Sequence, residues 1–200
     1  MITMKKLLFC LLSIACCLLA EPLTQQERNF AISHLHAASK RFQDSITGLS
    51  EAQWNFKPGP DRWSIAECSE HIVLSEEFLR GMVTDKFLKS PPVSKDLKGN
   101  DALVLKLIED RSQKAQAPEP LRPGGKLATP ADALSQFRAA RDRTIDYVEK
   151  TPDELRSHVM PFPKPLEAID AYQMILFLAA HSRRHTAQID EVKADPRYPK

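Results

Sequence analysis

Two histidines one helical turn apart, His181 and His185, mark the part of this chain best suited to chemistry. They lie in His181-Ser182-Arg183-Arg184-His185-Thr186-Ala187-Gln188. Residues four apart on a helix share a face, so both imidazoles can reach one ion. A third histidine, His71, stands far upstream in Trp63-Ser64-Ile65-Ala66-Glu67-Cys68-Ser69-Glu70-His71. If its helix faces the other, a three-histidine set results. Such a set leaves coordination positions for water or substrate, as catalytic metal sites do and closed structural sites do not. Imidazole suits zinc, nickel, iron or copper without choosing among them. On spacing alone the plainer alternative, solvated or core-satisfied histidines, fits better, because His-x-x-x-His is common.

The neighbours of these residues carry competing readings. Glu67 and Gln188 stand where each could accept a ring hydrogen from His71 or His185. Glu67 is better explained by a capping box with Ser64. Cys68 faces the same way as His71, but a lone helical cysteine reads first as a small buried hydrophobe. His34, His36 and His158 read as surface residues. Trp54 and Trp63 bracket the loop before the His71 helix and should pack over the bundle end or wall a pocket.

Four long helical segments must position these groups. The first opens at Thr24-Gln25-Gln26-Glu27, a capping box, and carries the stripe Ala31, Leu35, Ala38, Phe42 and Ile46. Pro58-Gly59-Pro60 then forces a loop. The second opens at Ser64, with Ile65, Cys68, Ile72, Leu79 and Val83 on one face, and stops before Pro91-Pro92. A shorter helix is predicted over Asp101–Ala115, through Ala102, Leu103, Leu105, Leu107 and Ile108. The third starts at Thr129-Pro130 and presents Leu134, Phe137, Arg141, Ile145 and Val148. The fourth is predicted from near Leu166 to about Lys193, with Tyr172 to Ala180 apolar on nearly every side. Such a helix belongs at the centre. Arg183, Arg184 and Glu191 would face outward. No strand pattern competes. The expected fold class is therefore all-α, a four-helix bundle with a long crossover connection.

The N-terminus reads as an export signal. Lys5-Lys6 precedes an apolar run from Leu7 to Leu19, and Leu18-Leu19-Ala20 offers a cleavage site. Residues 1–20 are thus expected to be a signal peptide, and residues 21–200 one helical-bundle domain. A lipoprotein reading is weaker, because Ser13 stands where the motif before Cys16 calls for an aliphatic residue. The 28 basic and 26 acidic residues become balanced once Lys5 and Lys6 leave, so no nucleic-acid footprint is expected. Cys10, Cys16 and Cys17 leave as well, and Cys68 alone cannot form an internal disulfide. No phosphate loop, Gly-x-Ser-x-Gly elbow or Cys-x-x-Cys pair is present.

Two motifs in order, Trp63-Ser64-x-x-Glu67-x-x-x-His71 and His181-x-x-Arg184-His185-x-x-Gln188, resemble those of the DinB-like superfamily. The likeness spans roughly Leu23 to Lys193. It implies a four-helix bundle holding a divalent metal ion (zinc, nickel or iron) through His71, His181 and His185. Some members are thiol transferases and some are hydrolase-like. The better-understood ones are cytoplasmic, so export favours hydrolysis here. The expected partners are a small-molecule substrate or ligand and, as an assembly, a homodimer, with the membrane met only through the N-terminal signal. The alternative is a non-catalytic bundle that binds metal or a small ligand. An accessible site would favour the enzyme, and a sealed one the binding protein.

Overall fold

Each long helix begins where a side chain replaces missing backbone partners. Thr24, Ser64, Thr129 and Asp170 cap four helices, each in a reciprocal box with the residue three positions on. The computed structural model describes residues 22–200, so the expected signal peptide lies outside the described residues. In chain order the elements are α1 (Gln25–Ile46), α2 (Glu51–Asn55), α3 (Ile65–Met82), α4 (Asp101–Glu109) and α5 (Pro130–Lys150), then β1 (Val159–Pro161), β2 (Ala168–Asp170) and α6 (Ala171–Lys193). A π-helical turn, Val83–Phe87, extends α3. No described helix is long and apolar enough to cross a membrane.

The four long helices form the bundle. α6 packs against α1 and α3, and α5 packs against the same two. α1 and α3 therefore sit on one diagonal, and α5 and α6 on the other. Consecutive long helices are joined across the bundle twice, through α2 and its loop and through the β-hairpin. The long connection from α3 to α5 carries α4, which lies on α6. The predicted stripes are the buried ones: Ala31, Leu35, Ala38, Phe42 and Ile46 on α1, and Ile65, Cys68, Ile72 and Leu79 on α3.

Three predicted features are corrected. α6 starts at Ala171 rather than near Leu166, because Glu167 takes a left-handed φ of 62° and Asp170 provides the cap. The residues before it pair with β1 in an antiparallel hairpin, Val159 opposite Asp170. Strands of three residues are too short to show an alternating pattern. α4 ends at Glu109, well before Ala115, because Asp110 turns to extended backbone and its carbonyl is taken by Arg184.

The core is divided by a polar belt. Arg141 on α5 grips both carboxylate oxygens of Glu76 on α3, at 2.9 and 2.5 Å. The same guanidinium donates to the Leu35 carbonyl of α1 at 2.8 Å and to the Ser182 hydroxyl of α6 at 2.9 Å. Ser182 in turn donates to Glu76 at 2.9 Å. All four long helices thus meet in one network, and both charged side chains are 1% exposed. On one side lies an apolar cluster containing Leu35, Leu79, Ile145 and Leu178. On the other lies a cluster containing Phe42, Ile72, Phe137 and Ile189, with Phe42 and Phe137 edge to face at 4.6 Å.

Candidate metal centre

The three histidines come together. His71 on α3 and His181 on α6 place their Nε2 atoms 3.2 Å apart. The ring centroids of His185 lie 4.3 Å from His71 and 4.5 Å from His181. One ligating nitrogen from each ring lies within 4.8 Å of the other two. His71 is buried, whereas His181 and His185 remain half-buried.

The other ring nitrogens show which lone pairs are free. The Leu121 carbonyl can only accept, so His71 Nδ1 donates to it, at 2.7 Å. His185 Nδ1 donates to Gln188 Oε1 at 2.9 Å. That amide oxygen also accepts from Arg111 at 3.3 Å, which fixes which way the Gln188 amide points. Both Nε2 atoms are therefore acceptors, turned toward a shared centre. Lone pairs brought together in this way repel unless a cation or a proton lies between them. For a tetrahedral zinc with bonds of about 2.0–2.1 Å, neighbouring ligand nitrogens stand about 3.3 Å apart. The His71–His181 pair meets that spacing, and the donor set fits a borderline-soft divalent ion.

Electrostatics keep the rings neutral. Burial lowers the pKa of His71, although the Leu121 carbonyl opposes the shift. Burial, then His71, bring His185 down to about 3, with Arg184 and Arg111 adding to the effect and Gln188 opposing it. His181 is held well below its ordinary value by burial and by His185 and His71. Neutral imidazole is the form that binds metal.

The surroundings are aromatic and basic. The Trp63 ring stands 5.0 Å from His71 and 6.0 Å from His185, forming one wall. Phe177 stacks on His181 at 5.9 Å. Trp54 is fully buried in the core instead. Cys68 is buried outside the histidine cluster, and burial pushes its thiol pKa up, as suits a packing residue. Glu67 caps α3 and pairs with Lys57 at 2.7 Å, so it does not orient His71. His36 is exposed, whereas His34, expected at the surface, is half-buried with its ring 4.6 Å from that of Phe30 and tilted against it. His158, expected at the surface, is half-buried because its Nδ1 donates to the Ser90 carbonyl at 2.8 Å.

Arg183 and Arg184 do not simply face solvent, as expected from the sequence. Arg183 pairs with Glu109 at 2.5 Å, and Arg184 donates to the carbonyls of Ile108, Asp110 and Gln113. Arg111 clamps Glu191 at 2.6 and 2.8 Å. Together they fasten the end of α4 and the following chain onto α6. Sequence reasoning missed this clamp, and it missed the Leu121 carbonyl, because a backbone acceptor 50 residues away leaves no residue-type signal.

Fold and cluster together define a helical bundle with a convergent histidine triad. The chain belongs to the DinB superfamily, whose family model matches residues 34–189 and so includes all three histidines. It is 25% identical over 150 residues to the uncharacterized protein YuaE of Bacillus subtilis (strain 168), covering 75% of this chain and 89% of that one. Its fold is similar to that of YfiT from Bacillus subtilis, described as a probable metal-dependent hydrolase with an unusual four-helix bundle topology. That similarity has a TM-score of 0.52 at 14% identity and covers 86% of this chain and 89% of YfiT.

Proposed function

We propose that this protein is an exported metal-dependent enzyme, a hydrolase of a small molecule, with His71, His181 and His185 as its metal ligands. The observation that carries the reading is the convergence of three imidazoles, two of which, His71 and His185, already have the other ring nitrogen committed as a donor. The description of YfiT as a hydrolase supports the reaction class. A divalent cation there would supply Lewis acidity, polarising a substrate oxygen or making a water more acidic. The chain's own residues do the rest. Leu121 and Gln188 hold two of the rings in orientation, and burial keeps the imidazoles unprotonated near neutral pH. Trp63 and Phe177 offer apolar walls for a substrate body. The partial exposure that His181 and His185 keep favours an accessible site over a sealed one. Export rests on Lys5-Lys6 and the apolar run after them, and it favours hydrolysis over transfer to thiols kept inside cells.

Metal analysis of protein purified without a histidine tag tests the ligand set. One divalent ion per chain is expected, with loss in His181→Ala and in His185→Ala while the helical circular dichroism is kept. Metal retained in both variants would remove the proposed ligands. Mature protein beginning near Glu21 outside the cytoplasm is expected, and intact Met1 on cytoplasmic protein would defeat the export reading.

A further inference from the structure

Glu70 and His71 are neighbours on α3, and both grip the same strap of the connector. Glu70 is 3% exposed. Its Oε1 accepts from the Gly124 N–H at 2.9 Å, and its Oε2 from those of Gly125 and Lys126 at 2.8 and 3.1 Å. Three residues before Gly124, the Leu121 carbonyl accepts from His71 Nδ1. Leu121 and Leu127 are buried on either side of the clamp, whereas residues 124–126 are exposed. The exposed turn is thus tethered through three consecutive backbone N–H groups to one buried carboxylate. Charge-assisted bonds from backbone N–H to carboxylate are among the stronger hydrogen bonds in proteins.

We infer that Glu70 is a positioning residue for the histidine centre: its grip on Gly124, Gly125 and Lys126 seats the Leu121 carbonyl on His71 Nδ1 and so keeps the His71 Nε2 lone pair turned toward His181 and His185. The consequence for metal rests on the ligand set proposed above; the consequence for the His71 tautomer does not. Glu70 touches no reacting atom and acts only through the strap. His71 Nδ1 points away from α6 when Nε2 points toward His181, and the acceptor it meets there is a backbone carbonyl of the connector.

The test is Glu70→Gln, which keeps size but replaces one acceptor oxygen with an amide group that cannot accept. Two-bond nitrogen–proton NMR of the metal-free protein reads the His71 tautomer at neutral pH. Wild type should show His71 protonated at Nδ1 alone, and Glu70→Gln a mixture of tautomers. Titration with cobalt(II), read by its visible absorption, should show about tenfold weaker binding and an altered band shape, at the lower end of the range for partners behind metal ligands. If Glu70→Gln does not fold, Gly125→Ala strains the same clamp from the strap side, where φ is +73°, and should give the same tautomer change. An unchanged His71 tautomer overturns the inference, even if trypsin cuts the strap faster or the melting temperature falls. His181→Ala serves as the separate control: full cobalt binding there would defeat the ligand set, while the tautomer result would still decide the role of Glu70.

Discussion

Replacing Arg141 with Met should cost about 3–4 kcal/mol of folding stability, and the structure shows how that figure arises. Removing one partner of a buried ion pair typically costs about 3–5 kcal/mol, because the other charge stays buried without compensation. Here the abandoned group is Glu76, 1% exposed in the belt where the four long helices meet. One contact survives, since the Ser182 hydroxyl still donates to Glu76, and a hydrogen bond is worth about 1 kcal/mol. The guanidinium also lies 5.0 Å from the Phe137 ring, a contact worth about 0.5–1 kcal/mol that Met would not reproduce in kind. The Leu35 carbonyl loses a second donor but sits within α1, so its loss adds little. For a domain of this size, about 2–4 °C in melting temperature accompanies each kcal/mol, which gives a fall of roughly 6–16 °C. Urea unfolding followed by circular dichroism measures the change directly. The double variant Glu76→Leu with Arg141→Met removes both charges and should recover most of the loss. A single variant costing under about 1 kcal/mol, or a double variant costing the sum of both singles, would refute the reasoning.

Three further outcomes are expected. Gln188→Ala should weaken metal affinity by about 10–100-fold without changing the metal stoichiometry, read by competition with a chelator of known affinity; unchanged affinity would mean that Gln188 does not orient His185. Cys68→Ser should keep full metal content but unfold at lower urea, by about 1–3 kcal/mol, because it buries a hydroxyl among apolar groups; loss of metal would make Cys68 a ligand after all. In Glu27, burial raises the carboxyl pKa, but hydrogen bonds from Thr24 and Arg156 outweigh it and hold the value at about 2. A depressed carboxyl stabilises the fold above its unfolded pKa and loses that contribution as pH falls through the folded value. Glu27→Gln should therefore be less stable than wild type at pH 7 by about 1–2 kcal/mol, discounted for partial exposure, with the gap closing between pH 4.5 and 2; a gap independent of pH would count against the assignment.

Much of this was legible in the sequence because periodicity is a local signal. The stripes of α1 and α3 and the caps at Thr24, Ser64 and Thr129 follow from spacing and residue type alone. Arg141 was visible as a charge on an apolar stripe, yet its partner Glu76 lies 65 residues away and nothing local names it. The same limit hid the grip of Glu70 on residues 124–126 and the clamp from Arg184 to the end of α4. The hairpin before α6 escaped because strands of three residues carry no period.

These long-range contacts share a property that bears on how the centre is built. Each of them ties an irregular segment or a neighbouring helix to α3 or α6, the two helices that carry the histidines. His71 is flanked by Glu70, which holds the strap, and lies on the same helix as Glu76, which holds the belt. His181 precedes Ser182, a member of that belt, and Arg183 and Arg184 lie between the two α6 histidines and anchor the α4 segment. An apolar bundle alone would leave α3 and α6 free to slide or rotate by small amounts, since hydrophobic contact is not directional. Hydrogen bonds and ion pairs are directional, and they fix the register in which the three rings converge. The polar residues beside each histidine thus set its position, and the apolar stripes supply the stability that makes burying them tolerable.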